Sequence, residues 1–332
     1  MLPTQELKSR ARITALGVYT PEKRLTNKDL EQTVETNDEW IVQRTGIRER
    51  RIAADQEYTS DLCVHAARNL AERHGVVLED VDFIIVSTTT PDYPLPSVSS
   101  QVQSRLGIPH AGAIDLQAAC AGFVYALHLA NSLVTTGLHK KILVLGAETL
   151  SKVTDYSDRS TCILFGDGAG AMLVEYDEHE PSFLSAHVGS EGEGGKSLYR
   201  SGTSTTMDGV ELIGNGNIVQ NGREVYKWAV STLTREIPKW LERDGHSLSE
   251  VDWFVPHSAN LRIIESVCER LQYPLEQTLN SVEYFGNTSS ATIPLSIDIA
   301  LQEGKIKKGD TMLLYGFGGG LVHAGALIKW TV

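Results

Sequence analysis

Asp115-Leu116-Gln117-Ala118-Ala119-Cys120-Ala121-Gly122-Phe123 is the point where a short apolar strand gives way to small residues, a single thiol and the start of a long helix. From Ala121 to about Val134 the residues Phe123, Val124, Ala126, Leu127, Leu129, Ala130, Leu133 and Val134 leave little polar face. A helix that is apolar all round is buried on every side. Cys120 then lies at the N-terminus of a central helix, where unsatisfied amides favour an anion and lower a thiol pKa. Packing is the competing explanation, because free cysteine is among the most buried residue types.

Around this helix the apolar runs Phe83-Ile84-Ile85-Val86, Ile142-Leu143-Val144-Leu145, Ala171-Met172-Leu173-Val174, Phe254-Val255 and Met312-Leu313-Leu314 are continuous. Strands without polar alternation are covered on both faces. Helical patterns fill the intervals at 61–74, 121–136, 225–243, 259–271 and 291–303, and strands separated by helices indicate an α/β fold.

The chain also repeats itself. Gly75, Leu78, Val81-Asp82 and Phe83 recur 170 positions later as Gly245, Leu248, Val251-Asp252 and Trp253, and Leu143-Val144-Leu145-Gly146 recurs as Leu313-Leu314-Tyr315-Gly316. Between Ala169-Gly170-Ala171 and Ala324-Gly325-Ala326 the offset falls to 155, which places about fifteen extra residues in the first half, in the polar segment Thr149–Thr161. Several anchors at one offset indicate duplication, with halves at 1–178 and 179–332. The offset carries Cys120 onto Ser290, close to Asn287, and Ser87 onto His257 just past a strand end. Two helix starts facing each other across a pseudo-twofold axis bring Cys, His and Asn together, at strand ends where α/β proteins bind ligands.

Taken singly, each residue has an ordinary reading. His257 fits a satisfied core histidine, Asn287 a helix cap, and Gly316 with Gly318-Gly319-Gly320 a tight turn. Together they supply a thiol, an imidazole and an exposed backbone N–H, the parts that acyl transfer needs. The totals agree with an enzyme of this kind. The 332 residues are 41% hydrophobic and 22% charged, and a net charge of −12 argues against nucleic acid as the main partner. Cys63, Cys120, Cys162 and Cys268 form no CxxC pair, so no zinc site or disulfide framework is expected. The polar stretch Met1–Arg12 lacks a signal region and no run reaches membrane-span length, so a cytoplasmic setting is expected. Gly189–Ser197 imitates a phosphate loop, but Ser190 stands where that motif needs glycine and Glu191 and Glu193 repel phosphate; a glycine-rich surface loop is expected.

Six motifs in order resemble the β-ketoacyl-acyl-carrier-protein synthase III family, initiating condensing enzymes of bacterial fatty acid synthesis within the thiolase superfamily. They are Asp38–Ile47, Ala118–Phe123, Phe165–Gly170, Val255–Ile263, Gly286–Ser289 and Gly316–Gly320. The resemblance implies a five-layer α-β-α-β-α thiolase-like fold of two pseudo-twofold-related halves and a homodimer. It implies that Cys120 is acylated by an acyl-CoA, that His257 and Asn287 stabilise the enolate left as malonyl-acyl-carrier protein loses carbon dioxide, and that the N–H groups of Cys120 and Gly319 form the oxyanion hole. It further implies that Trp40 and Arg159 sandwich the CoA adenine. Thr36, Arg44, Asn260 and Phe317 line the CoA and substrate path, and Lys227 and Arg262 dock the acyl carrier protein, with Arg223 and Arg48–Arg51 as further basic candidates. No metal or cofactor is implied, and neither nucleic acid nor membrane is a partner.

Two positions depart from the family pattern. Ser258 follows His257 where glutamine is usual, and Leu95 stands where acetyl-selective members often carry phenylalanine. In the family this residue closes the partner subunit's acyl pocket, so leucine there implies acceptance of branched or slightly longer starters, such as isobutyryl- or isovaleryl-CoA, alongside acetyl-CoA, at about 1–3 kcal/mol per methyl group. The alternatives are a polyketide starter synthase or acyltransferase with the same Cys-His-Asn set, and a non-catalytic acyl-CoA sensor. Binding alone needs no thiol, which weighs against the sensor.

Overall fold

The computed structural model describes residues 8–332; residues 1–7 of the polar N-terminal segment lie outside the described residues. Five strands form the first sheet: β1 (Ala11–Tyr19), β2 (Phe83–Ser87), β3 (Gly112–Leu116), β4 (Lys141–Thr149) and β5 (Asp167–Tyr176), in the order β1-β5-β4-β2-β3. Four form the second: β6 (Phe183–Ser190), β7 (Trp253–Pro256), β8 (Thr311–Gly318) and β9 (Val322–Lys329), in the order β7-β8-β9-β6. Read from the β6 edge, the second sheet repeats the first strand for strand. Its fifth strand is reduced to an isolated bridge between Phe254 and Thr278.

The helices are α1 (Asp38–Thr45), α2 (Thr59–His74), α3 (Val98–Leu106), α4 (Gly122–Thr135), α5 (Gly222–Arg243), α6 (Leu261–Leu271) and α7 (Thr292–Gln302). Strand side chains alternate between faces, so one run such as Ile142–Leu145 serves two cores. Ile142 and Val144 join Phe123, Leu127, Ile293 and Ile297 of the central helices, while Leu143 and Leu145 join Leu62, Ala66 and Leu70 of α2. On the far side Leu313 and Leu327 pack with Leu233, Ile237, Ile264 and Val267 of α5 and α6. The result is the five-layer α-β-α-β-α arrangement, with α4 and α7 as its buried middle layer.

Each central helix is preceded by a short 3-10 turn, Ala119–Ala121 and Ser289–Ala291, at the expected offset of 170, and the α-helix proper begins one residue later than the apolar pattern suggests. Ala119 and Ser289 both take a left-handed φ, 45° and 50°, a strained choice for a residue with a Cβ, at about 1–3 kcal/mol each. The turns touch the opposite half closely: a Cβ on Gly146 would sit 2.6 Å from the Ser290 carbonyl oxygen, and one on Gly316 2.7 Å from Ala121 Cα. Only glycine admits these approaches.

The ladder also locates the insertion. Gly146 pairs with Gly170 and Gly316 with Gly325, and the additional residues of the first half lie between β4 and β5, at 150–166, rather than ending at Thr161. A second correction concerns Gly189–Ser197. Gly189 and Ser190 end β6, and Gly192–Ser197 forms a 3-10 helix with Gly195 buried, so the segment lies at the surface, as expected, but is regular structure and not a loop. Glycine content suggests a loop, but pairing of Ser190 with Val322 extends the strand to the cleft.

Candidate active site

A cleft of about 1360 Å³ opens over the two facing turns, and Cys120, His257 and Asn287 all line it. The 150–166 insertion lines it through Leu150, Ile163, Leu164 and Phe165 and packs against Ile218 of the segment from Gly192 to Gln220, which supplies further lining. The three residues reach the cleft by different means. Cys120 sits in the turn before α4 and is 9% exposed. His257 follows β7, its backbone N–H donating to the Tyr315 carbonyl oxygen at 2.8 Å. Asn287 is held between wall and floor: its N–H donates to the Leu164 carbonyl and its carbonyl accepts from Gly166 N–H, at 2.9 and 3.0 Å.

The electrostatics correct one expectation. Burial pushes the Cys120 thiol up to about 12, with the carboxylate of Glu148 adding to the rise and a hydrogen bond with the Ser289 side chain opposing it. The turn at the head of α4 does not offset desolvation, so the resting group is a thiol. His257 is pushed down to about 3 by burial and is a neutral imidazole at physiological pH. Its ring stands edge-on to Phe317 with centroids 5.2 Å apart, and its Nδ1 lies 2.8 Å from Thr292 Oγ1. Ser289 N–H donates to Asn287 Oδ1 at 2.9 Å, which leaves the Asn287 amide nitrogen for the cleft.

The low histidine pKa has a consequence for stability. The unfolded chain takes up a proton at this residue below about pH 6.5, while the folded chain holds it neutral down to about 3. Stability therefore falls as pH drops through that window. Urea unfolding midpoints measured between pH 7 and pH 4 are expected to fall less steeply for His257→Gln than for the wild type. His128, His187 and His323, also lowered by burial, keep the variant's profile from being flat.

One group here escaped the sequence reading, Glu148, and the expected glycine run gains a second role. A Cβ on Gly318 would lie 3.0 Å from Cys120 Sγ, so glycine at that position clears the thiol, while Gly319 lines the cleft beside Leu198. Glu148 is fully buried behind the site; it accepts from Thr89 N–H at 3.1 Å, Thr90 Oγ1 at 2.7 Å and Ser289 Oγ at 3.1 Å. Its signal in the sequence is a lone acid at the end of the apolar run Ile142–Ala147.

Around the mouth, Arg44, Arg200, Arg223 and Arg262 line the cleft against Asp92 and Asp208. None of these four arginines forms an ion pair among the described residues. Trp40 lines the same rim, with the Arg159 guanidinium 5.2 Å and the Arg44 guanidinium 5.6 Å from its ring centroid. Arg159 is in contact with the indole, so a planar base enters only if the guanidinium moves aside. Asn260 caps α6, accepting from Arg262 N–H at 2.9 Å, and donates to the Arg44 carbonyl at 3.1 Å, which ties the two sides of the rim together. Phe317 is 1% exposed and acts against the His257 ring.

Four expected site residues do not line the cleft within one chain, the first being Arg159, whose guanidinium lies over the Trp40 indole. Thr36 is half-buried short of α1, Lys227 is exposed one helical turn beyond Arg223, and Leu95 is 85% exposed at the tip of the 91–97 loop. The Arg48–Arg51 stretch is not a docking patch. Arg48 pairs with Glu283 at 2.8 Å and Arg51 with Glu49 at 3.9 Å. Arg50 is fully buried, bonded to Asn27 Oδ1 and the Ile163 carbonyl, with burial pushing its pKa down to about 10. A strand that pairs Arg50 with Leu25 turns this side chain into the protein, a choice that a run of like charges conceals.

Comparison with known proteins identifies the family. Residues 114–192 match the family described as 3-oxoacyl-[acyl-carrier-protein (ACP)] synthase III, and residues 241–330 match its C-terminal part. The chain is 63% identical over 324 residues to β-ketoacyl-[acyl-carrier-protein] synthase III 2 of Halalkalibacterium halodurans, covering 98% of each chain. It superposes on the crystal structure of β-ketoacyl-[acyl carrier protein] synthase III from Thermus thermophilus with a TM-score of 0.92 and 45% identity, covering 96% of this chain and 99% of that one. The priming β-ketosynthase of the R1128 polyketide pathway is similar at 36% identity and a TM-score of 0.89, covering 97% and 96%. With a relative this similar along nearly its whole length, the chain belongs to the β-ketoacyl-acyl-carrier-protein synthase III family of the thiolase superfamily.

Proposed function

We propose that this chain condenses an acyl-CoA starter with malonyl-acyl-carrier protein, releasing CoA and carbon dioxide and giving a β-ketoacyl thioester two carbons longer. The observation that carries the reading is the convergence of Cys120, His257 and Asn287 on the floor of one cleft, with Gly318 clearing the thiol. Cys120 Sγ attacks the starter carbonyl, the bond to the CoA sulfur breaks, and the proton lost by the Cys120 thiol ends on that sulfur, which leaves as CoA thiol. In the second half, the malonyl carboxylate leaves as carbon dioxide and its bonding pair forms an enolate. His257 Nε2 and the Asn287 amide donate to that enolate oxygen, and neutral donors suit a charge that appears only in the transition state. The enolate carbon then attacks acyl-Cys120, whose carbonyl oxygen is held by the N–H groups of Cys120 and Gly319, and the new C–C bond forms as Sγ departs. The residues of 1–178 supply the nucleophile and those of 179–332 supply the enolate donors. Acyl-CoA and malonyl-carrier protein are both substrates, and the scheme calls for no cofactor.

The unpaired arginines at the mouth support binding of a phosphate-bearing CoA and an acidic carrier protein by a chain of net charge −12. Arg262 and Lys227, with Arg223 at the rim one helical turn before Lys227, form the docking patch, and Trp40, Arg159, Arg44, Thr36 and Asn260 the CoA path. Leu95, Tyr93 and Ile114 are exposed beside the unpaired edge of β3, which supports a homodimer through that edge. In it Leu95 closes the acyl pocket of the second copy. The four cysteines are free and buried, and no helix among the described residues is long and apolar enough to cross a membrane; both fit a cytoplasmic enzyme. The test is release of carbon dioxide from malonyl-carrier protein with and without starter. Release that requires the starter is the expected result, and none in either case rejects the reading. In the same assay an equimolar mixture of acyl-CoAs reads the starter; strict acetyl-CoA use removes Leu95 as the determinant. A raised KM for the carrier protein in the Lys227→Ala, Arg262→Ala double variant is expected, and an unchanged one removes them from the docking patch. Priming of a polyketide is the second reading, favoured by the likeness to the R1128 enzyme; the carrier protein accepted separates the two.

A further inference from the structure

We propose that Glu148 takes the proton of the Cys120 thiol, through the Ser289 hydroxyl, as the nucleophile attacks. This rests on the condensing role proposed above and concerns its first half-reaction. Glu148 is a fully buried acid near the end of β4, and five donors meet its two carboxylate oxygens. They are Thr89 N–H at 3.1 Å, the hydroxyls of Thr88, Thr89 and Thr90 at 3.3, 3.0 and 2.7 Å, and Ser289 Oγ at 3.1 Å. All five are neutral, and Glu148 forms no ion pair among the described residues. A buried carboxylate without a counter-ion is costly to keep, and such groups concentrate where chemistry uses them.

Ser289 joins this carboxylate to the nucleophile. Its hydroxyl donates to Glu148 Oε1 and is hydrogen-bonded to the Cys120 thiol, and Ser289 and Cys120 both line the cleft. One hydroxyl proton cannot serve two acceptors, so with Glu148 ionised the Ser289 oxygen accepts from S–H. As Sγ bonds to the starter carbonyl carbon, the thiol proton passes to Ser289 Oγ and the Ser289 proton passes to Glu148 Oε1. When the carbon–sulfur bond to CoA breaks, the path runs in reverse. The proton ends on the CoA sulfur, and Glu148 is a carboxylate again. His257 is a poor substitute for this task, because burial that pushes it down to about 3 makes it a weak base. Burial pushes the Glu148 carboxyl up, which makes it a better one. Asp92 and Asp208 also line the cleft, but Glu148 is the one acid that acts on the Cys120 thiol among the described residues. Its charge also reaches Cys63 of α2, a buried thiol that does not line the cleft.

The test compares two variants. Glu148→Gln keeps the shape and an acceptor for Ser289 but cannot take the proton. Ser289→Ala breaks the path while keeping the backbone N–H on Asn287 Oδ1, and alanine already takes this left-handed backbone at Ala119 in the twin turn. Single-turnover acylation of Cys120, read by intact mass, is expected to fall roughly 10²-fold or more in each variant. If Glu148 acted through its charge alone, Glu148→Gln would acylate faster than the wild type, since removing the charge lowers the thiol pKa. Near neutral pH the wild-type rate is expected to change little, while that of Glu148→Gln, where free thiolate has to attack, climbs about tenfold per pH unit. Carbon dioxide release by enzyme acylated to completion beforehand is expected to stay within about threefold of wild type in both variants. Acylation by Glu148→Gln at or above the wild-type rate, or equal loss of acylation and carbon dioxide release in both variants, would overturn the proposal. Alkylation by iodoacetamide, mapped to the Cys120 peptide, reads the same proton removal without acyl-CoA and is expected to be slower in Glu148→Gln. Should the wild type take up no acyl group, the proposed function fails, and the alkylation rates still decide the path of the proton.

Discussion

Cys120→Ser is expected to form no acyl adduct and to lose roughly 10³-fold or more of the condensing rate, while folding as the wild type does. Serine fills nearly the same space beside Gly318, so the loss isolates the nucleophile. The thiol is pushed up to about 12 by burial, and among the described residues no cation acts to lower it. A hydroxyl in the same place ionises far less readily. Intact-mass measurement after mixing with a panel of acyl-CoAs checks the result, since the mass gained by the wild type names the acyl group. Because the thiol is neutral at working pH, the acylation rate should climb about tenfold per pH unit wherever free thiolate is the attacking species. A wild type that gains no mass, or a serine variant that turns over normally, would remove Cys120 from the mechanism.

Asn287→Ala and His257→Ala are each expected to lower malonyl decarboxylation and condensation by roughly 10²–10³-fold, the usual consequence of deleting one donor from a preset pair. Both variants should still be acylated on Cys120, because neither residue touches the starter step as proposed. That split between retained adduct and lost carbon dioxide release distinguishes an enolate-stabilising role from general disruption. The double variant should lose less than the product of the two, since the donors act on one oxygen. Loss of the adduct in either single variant would show that the residue serves the first half-reaction as well.

Much of this site was legible along the chain because duplication and local pattern carry it. The 170-residue offset placed Ser290 opposite Cys120 and His257 at the homologous strand end, and both 3-10 turns occupy those positions. Glu148 was not legible, and Gly318 was legible only as one of a glycine run. Each acts on a neighbour in the other half: Glu148 through Ser289, Gly318 through Cys120. The Arg48–Arg51 run shows the same limit in reverse, since charge pattern alone cannot tell a solvated arginine from Arg50 in the core.

By itself the sequence determined the layered α/β architecture, the repeat and the identity of the three converging residues, because hydrophobic period, duplication and motif order are properties of the chain as written. The tertiary structure decided the protonation and orientation of those residues. Burial sets Cys120 as a thiol and His257 as a neutral imidazole, and the Ser289 N–H on Asn287 Oδ1 leaves that residue's amide nitrogen for the cleft. Desolvation and hydrogen-bond direction depend on what surrounds a group in space, and packing brings those surroundings from both halves of the chain.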